Sequence, residues 1–348
     1  MDEYLGGPVA ALRRIAFLME RRREETRRVE AFRNAARIVL GEGEEAVAAR
    51  VAAGTVRDLP GIGPSTAAVI EAAVAGRMPD RLAQWEETAG PLVAQGRDVR
   101  AALRGDLHSH SDWSDGGSPI EEMAMTAIEL GHEYLALTDH SPRLKVARGL
   151  SAERLARQLD VVDAVNAHLG GGFTLLKAIE VDILDDGSLD QTDEMLSRLD
   201  IRVASVHSKL RMDAAAMTRR MVAAVRGPYV NVLGHCTGRL VMGSRGTRPI
   251  SEFDARSVFE ACAQEGVAVE INSRPERRDP PTKLLELARD IGCLFSIDSD
   301  AHAPGQLDML DHGCARAEAA GIEVDRIVNT WPLVRLLAWA APDSGEAD

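Results

Sequence analysis

The sequence predicts an α/β protein, a distorted (β/α)7 barrel preceded by an all-α domain, and three observations carry that reading. From residue 105 onward, short apolar stretches of strand length alternate seven times with longer stretches of helical periodicity. Before residue 105 the apolar residues recur at helical spacing only. The 348 residues also exceed the roughly 250 that a barrel of this kind uses. Strands separated by helices run parallel, and closing a parallel sheet on itself removes its exposed edges.

The elements follow in chain order. Residues 8–40 read as helical, with Leu12, Ile15, Leu18 and Met19 on one stripe and Val29, Phe32, Ala36 and Val39 on another. Arg21, Arg22, Arg23, Arg27 and Arg28 alternate with Glu20, Glu24 and Glu25, a pattern expected of a solvated face. In LPGIGPSTAAVIEAAVAG, residues 59–76, Gly61 and Gly63 allow a tight turn between two short helices. Both glycines are expected in conformations that a Cβ would disfavour. Residues 77–104 contain Pro79, Gly90, Pro91 and Gly96, which place the domain boundary there. The expected division is a helical domain over 1–90, a linker over 91–104, a barrel over 105–341 and a tail over 342–348.

Strands are expected at 106–110, 134–140, 174–182, 202–207, 230–235, 267–272 and 294–302. Helical stretches such as 119–131, 152–168, 213–225, 254–265 and 282–291 lie between and after them.

With 45% hydrophobic residues, the chain has ample material for buried cores. No apolar run approaches the roughly 20 residues that span a bilayer, and MDEYLGGPVA lacks a basic region followed by an apolar one. A cytoplasmic protein without a membrane partner is expected. The four cysteines are far apart with no C-x-x-C pair, as suits reduced thiols. The net charge of −13 is uneven: residues 1–100 hold 15 basic and 15 acidic side chains, and the remainder 26 and 39. An acidic surface does not embrace nucleic acid unaided, although bound divalent cations invert the charge locally.

The ends of the expected strands carry the chemistry. His108 and His110 share one face of an extended segment because side chains alternate with period two. Further along come His140, Glu180, His207, His235, Glu270 with Asn272, and Asp300 with His302, all at the barrel end that bears active sites. Six of the nine histidines fall at such ends, whereas His132, His168 and His312 lie in or beside helices and are expected to be structural or exposed. Six histidines with interleaved carboxylates predict a multinuclear metal site. Mixed nitrogen and oxygen donors without thiolate suit Zn²⁺, Mn²⁺ or Fe²⁺ better than Mg²⁺ or Ca²⁺.

DLHSHSDWSDG, LTDHS, AIEVDI, SVHS, LGHCTGRL, EINSRPER and DSDAH resemble, in order and spacing, the PHP (polymerase and histidinol phosphatase) domain, in the version attached to bacterial family-X DNA polymerases. The resemblance covers about 105–341 and implies a TIM-like barrel. Residues 8–76 resemble the N-terminal helical domain of the same polymerases, including a helix-hairpin-helix whose turn, here Gly61 and Gly63, offers backbone amides to a DNA phosphate.

The resemblance further implies three divalent ions. His108, His110, Glu180 as bridge and Asp300 would hold the first; Glu180, His207 and His235 the second; Asp115, His140 and His302 the third. Glu180, His207 and Asp300 would serve catalysis. By their position within a few residues of a strand end, Lys209, Arg239, Arg274 and Arg277 are candidates to hold substrate phosphate, Lys209 and Arg277 before Arg239 and Arg274, with a surface ion pair as the alternative for each. Cys236 stands where the family usually has proline and is expected to be a buried, inert thiol. Only about 30 residues separate the two regions, too few for a polymerase palm, so no polymerase activity is expected. The first lysine is Lys145, which leaves the helical domain without an amine for Schiff-base lyase chemistry.

The expected function is metal-dependent phosphoester hydrolysis on DNA, as a 3′-to-5′ exonuclease or 3′-phosphatase in repair, with no obligate protein partner evident. One alternative is a small-molecule phosphatase, for example on histidinol phosphate, with the helical domain as an inherited remnant. Another is a non-catalytic protein that docks on DNA ends, against which stands the nine-ligand set, since structural sites rarely need three clustered ions.

Overall fold

Helical periodicity before residue 105 gives five helices in a unit of their own. A computed structural model describes residues 3–243 and 246–342, and its chain divides into two compact units between Pro91 and Leu92. The expected tail, beyond Pro342, lies outside the described residues. No helix among the described residues is long and apolar enough to cross a membrane.

In the first unit, α1 (Gly7–Arg21) and α2 (Thr26–Glu42) bring the two apolar stripes together, burying Leu12, Ile15 and Met19 with Val29, Phe32 and Val39. Helices α3 (Glu44–Ala52), α4 (Pro64–Val74) and α5 (Asp80–Glu86) complete this core. Residues 8–40 are therefore not continuously helical. The chain reverses after Arg22, where Arg23 takes a φ of +61°, and the buried Glu20 and Arg33 pair bidentately across the two helices at 2.8 and 2.6 Å.

Nor is the arginine run a uniformly solvated face. Arg21 is buried and donates to the carbonyls of Thr88 and Gly90 at 3.1 and 2.7 Å, while Arg28 pairs with Glu24 in solvent. A buried guanidinium is tolerated only when its donors are satisfied.

The 59–63 turn corrects half of the glycine expectation. Gly61 has a φ of +93°, and a Cβ there would lie 2.8 Å from Ile38 Cδ1. Gly63 is extended, with φ −91° and ψ 175°, and a Cβ would meet nothing within 4 Å. It is the residue before α4, and its amide donates to Thr66 Oγ1 at 3.0 Å.

The second unit starts earlier than composition suggests. Residues 92–104 are not a free linker: α6 (Arg97–Ala102) buries Val99, and Leu103 after it joins the same core. The amides of Leu92 and Gly96 donate to Asp311 and Glu318, both at 2.9 Å. Gly96 punctuates the segment, but Val99 and Leu103, spaced four apart, form a buried face.

Seven parallel strands follow in sequential order: β1 (Gly105–Ser109), β2 (Tyr134–Leu137), β3 (Thr174–Asp182), β4 (Ile201–Ser205), β5 (Val232–Leu233), β6 (Ala268–Asn272) and β7 (Leu294–Asp298). They form a nearly closed barrel. Surrounding helices are α7 (Ile120–Glu129), α8 (Ala152–Leu169), α9 (Asp193–Leu196), α10 (Ala214–Val225), α11 (Ala255–Glu265), α12 (Thr282–Ile291) and α13 (Leu310–Ala319).

The distortion lies between β7 and β1, which are joined only by an isolated bridge among the described residues, from Ser109 to Ala301 just past β7. Below it Asn329 fills the seam, its Nδ2 donating to the carbonyls of Gly105 and Ile297 at 3.0 and 2.6 Å and its Oδ1 accepting from the Ile297 amide at 3.1 Å. One buried side chain thus satisfies backbone groups that a further strand would otherwise pair. Leu107, Tyr134, Ala136 and Val203 pack in one core with Val328, Trp331 and Leu336, the last from α14 (Leu333–Ala340). The polar ends of the strands are left to form the site.

Candidate metal centre

Period-two alternation and the short strands explain how the ligand residues converge. His108 lies within β1 and Glu180 within β3, while His110, His140, His207, His235, Asp300 and His302 stand just past strand ends. The H-x-H spacing places the His108 and His110 rings on one side, with centroids 5.2 Å apart.

Glu180 is the hub. Its Oε1 lies 2.9 Å from His235 Nε2 and 3.2 Å from His207 Nε2. Its Oε2 lies 2.9 Å from His140 Nδ1, 3.4 Å from His108 Nε2 and 3.6 Å from His110 Nε2. Asp115 Oδ1 is 3.4 Å from both His140 Nε2 and His302 Nε2, and Asp300 Oδ1 is 3.6 Å from His110 Nε2.

Three sets of donor atoms lie within 4.8 Å of one another: His108, His110 and Glu180; His140, Glu180 and His207; and His110, Asp115, His140 and His302. These overlap the three expected groups. They differ in sharing His110 and His140 between groups and in leaving out Asp300 and His235, which approach through His110 and Glu180.

The donor set fits divalent cations. His108 Nε2, both nitrogens of His110, His140 Nδ1 and Glu180 Oε2 are buried without a hydrogen-bond partner. Such orphaned groups cost about 1–3 kcal/mol each, and here they converge. Burial by itself disfavours the Glu180 carboxylate, but His207, His108 and His140 outweigh it and hold the group well below its ordinary range. Burial also opposes ionisation of Asp300, yet Arg274, His110 and Arg277 keep it ionised. His110 is driven down by burial, with His302 and His140 adding, so it stays neutral as a ligand must.

The residues that orient this set include Asp182 and Asp139, to which the sequence assigns no role, besides Glu270 and Asn272, which it places at a strand end. Asp182 Oδ1 lies 2.5 Å from His207 Nδ1, and Glu270 Oε1 lies 2.5 Å from His108 Nδ1. Each fixes which ring nitrogen faces the cluster. The signal was present for Asp182, which follows Glu180 by two positions on the same strand face. Asn272 Nδ2 donates to Asp300 Oδ2 at 3.1 Å, where Asp300 holds a φ of +50°. Asp139 gathers Ser111, Ser114 and Gln158 beneath the loop after β1.

The expected phosphate holders separate. Arg277 joins the cluster, with Nε 3.1 Å from Asp300 Oδ2. Lys209 pairs instead with Asp185 at 2.5 Å, its side chain 61% exposed. Arg274, placed behind those two from the sequence, reaches inward to His302 Nδ1 at 3.2 Å and to Asp300 Oδ1 at 3.7 Å. The Cys236 thiol is buried and 3.8 Å from Asp279 Oδ1, and burial followed by that carboxylate pushes it well above its usual range.

Comparison with known proteins follows the same lines. Residues 106–274 match the family model of the PHP domain, and residues 8–77 that of a helix-hairpin-helix domain. The DNA polymerase/3′-5′ exonuclease PolX of Bacillus subtilis is 39% identical over 227 residues, 65% of this chain and 39% of that protein. The chain thus spans about two fifths of that relative's length. A protein named Probable phosphatase from Thermoanaerobacter sp. (strain X514) is 27% identical over 240 residues, 65% of this chain and 89% of its own. Among solved structures, the histidinol phosphate phosphatase of Lactococcus lactis, complexed with zinc, L-histidinol and phosphate, aligns with a TM-score of 0.46 at 18% identity, covering 64% of this chain and 95% of that one. With both regions matched in order along the sequence, the chain is a PHP-domain protein with an N-terminal helix-hairpin-helix domain.

Proposed function

We propose that the chain is a metal-dependent phosphoesterase acting on DNA ends in the cytoplasm, as a 3′-to-5′ exonuclease or 3′-phosphatase in repair, without polymerase activity. The observation that carries the hydrolase reading is the convergence of orphaned histidine nitrogens on one buried carboxylate, Glu180. His108, His110, Asp115, His140, Glu180, His207, His235, Asp300 and His302 would hold three divalent ions, of Zn²⁺, Mn²⁺ or Fe²⁺ type. Bound there, such ions supply an activated water and neutralise charge developing on the phosphate.

The protein's own groups do the rest. Asp182 and Glu270 lock His207 and His108 in orientation. Arg277 and Arg274 stand beside Asp300 with guanidinium groups suited to phosphate oxygens. In the helical unit, the amide of Gly61 and the first-turn amides of Ser65 and Thr66 in α4 would meet a DNA phosphate, whereas the amide of Gly63, also expected there, is committed to Thr66 Oγ1. The PolX relative supports this choice of substrate. A second reading, hydrolysis of small phosphate esters, is favoured by the Thermoanaerobacter relative, 89% of whose length is matched.

Full-length protein with Mn²⁺ is to be assayed on 5′-labelled single-stranded DNA beside a panel of small phosphate esters, across a salt series. Stepwise shortening from the 3′ end, weakening as salt rises, is expected. Turnover of small esters with intact DNA would replace this reading by the second.

A further inference from the structure

We propose that the cavity on the far side of Arg274 from the ligand cluster is a subsite for a second phosphate of the substrate, one residue along from the phosphate being hydrolysed. This rests on the phosphoesterase reading and sharpens its substrate class to molecules with two linked phosphates, of which a DNA strand is one.

The cavity measures about 460 Å³, within the range that takes a nucleotide-sized group. Arg239, Arg274, Arg278 and Arg316 line it. Four guanidiniums on one cavity are not a by-product of a basic surface, because residues 101–348 carry 39 acidic against 26 basic side chains.

Arg274 is paired with Asp300, but the direct side-chain partners of Arg239 and Arg316 are neutral. Arg239 donates to the backbone carbonyls of Arg277 and Arg278, and Arg316 to those of Asp279 and Pro280. Neutral acceptors fix the direction of a guanidinium without cancelling its charge. Among the described residues no carboxylate lies within ion-pair distance of Arg239, Arg278 or Arg316. The nearby Asp279 is committed to Thr237, accepting from its amide at 3.1 Å and its hydroxyl at 2.7 Å. Burial, followed by the repulsion of Arg239, pushes Arg316 down to about 10, with Asp279 opposing the shift and Arg278 adding to it. An anion relieves that repulsion.

Ser273 also lines the cavity. Val93, Val241 and Pro275 supply apolar surface, as the sugar or base of a nucleotide would need.

The cavity and the ligand cluster share a wall. Arg274 and Asn272 line the cavity, yet the same side chains bond His302 and Asp300. Groups on the two sides are separated by the thickness of one side chain, which is why the second phosphate belongs to the same substrate and not to a distant effector. Arginine is the side chain whose planar fork matches phosphate oxygens in pairs.

The test uses full-length protein with Mn²⁺ and two slowly hydrolysed probes, thymidine 3′,5′-bis(phosphorothioate) and thymidine 5′-phosphorothioate, titrated calorimetrically. Wild type should hold the bis(phosphorothioate) about 10-fold or more tighter, the increment of one charge-assisted contact. Arg278→Glu should abolish that preference, Arg278→Gln should reduce it and Arg278→Lys should keep most of it. Arg278 is exposed, and thermal melting checks that each variant folds. Equal affinities in wild type overturn the proposal, as does an unchanged preference in Arg278→Glu. If inorganic phosphate alone loses affinity in Arg278→Glu by the same factor as the double probe, the cavity serves a free anion and the proposal is overturned. Degradation of 5′-labelled DNA by wild type is measured in parallel. Its absence refutes the exonuclease reading, whereas the preference between probes decides the subsite by itself.

Discussion

Replacing Glu180 by glutamine removes a charge while keeping shape, at a carboxylate whose two oxygens face different histidine rings. Oε1 serves His207 and His235, and Oε2 serves His108, His110 and His140, all at 2.9 to 3.6 Å. An amide has an oxygen on one side only. Whichever way it turns, one set of nitrogens faces an N–H group, so one ion would lose a ligand and its neighbour would lose compensating charge. Substituting a residue that merely supports a metal ligand costs 10–100-fold, so loss of a shared ligand should reduce turnover by at least about 100-fold, or about 2.7 kcal/mol. The fold should survive. The β3–β4 ladder from Ala178 to Asp182 is made by backbone, which the substitution leaves alone. The assay is hydrolysis of a chromogenic phosphate ester at saturating Mn²⁺, with metal content by elemental analysis and melting by circular dichroism. Near wild-type turnover with undiminished metal content would refute the bridging role.

Three further outcomes are expected. Asp182→Asn and Glu270→Gln should each weaken metal binding about 10–100-fold without shifting the melting temperature of the metal-free protein by more than about 1 °C, the equivalent of a few tenths of a kcal/mol, because they orient ligands; a competition titration with a chelating dye reads this. Burial, with the charge of Arg100 adding, pushes His132 down to about 3. The unfolded chain binds that proton near pH 6.5, so stability present above pH 6.5 falls by about 1.4 kcal/mol per unit as pH drops towards 3. His132→Leu should remove that part of the slope, and urea midpoints at pH 7 and pH 5 that shift equally in both proteins would contradict it. Gly61→Ala should destabilise the helical unit by about 1–3 kcal/mol through its φ of +93° and the contact with Ile38. Gly63→Ala, in an extended conformation with open space, should stay within about 0.5 kcal/mol. Thermal unfolding separates the two.

Local chemistry with a short repeat was legible in the sequence. Alternation of strand-length and helix-length stretches led to the seven parallel strands, and period two put His108 and His110 on one face. The ends of the strands collected the ligands because every connection in such a barrel returns the chain in the same direction. The turn at Gly61 was readable for a similar reason, since its chemistry is contained within five residues.

Only the tertiary structure decided how distant segments meet. The reversal at Arg23 depends on Glu20 finding Arg33 across two helices. The attachment of residues 92–104 to the barrel unit depends on Asp311 and Glu318, more than 200 positions along the chain. Arg274, Arg277 and Lys209 all stand near strand ends, yet the first two turn inward to Asp300 and the third outward to Asp185. Spacing along a strand sets the face on which a side chain stands. The distance between faces is set by packing around a closed sheet, and a pair in contact across it leaves no periodic trace in the sequence.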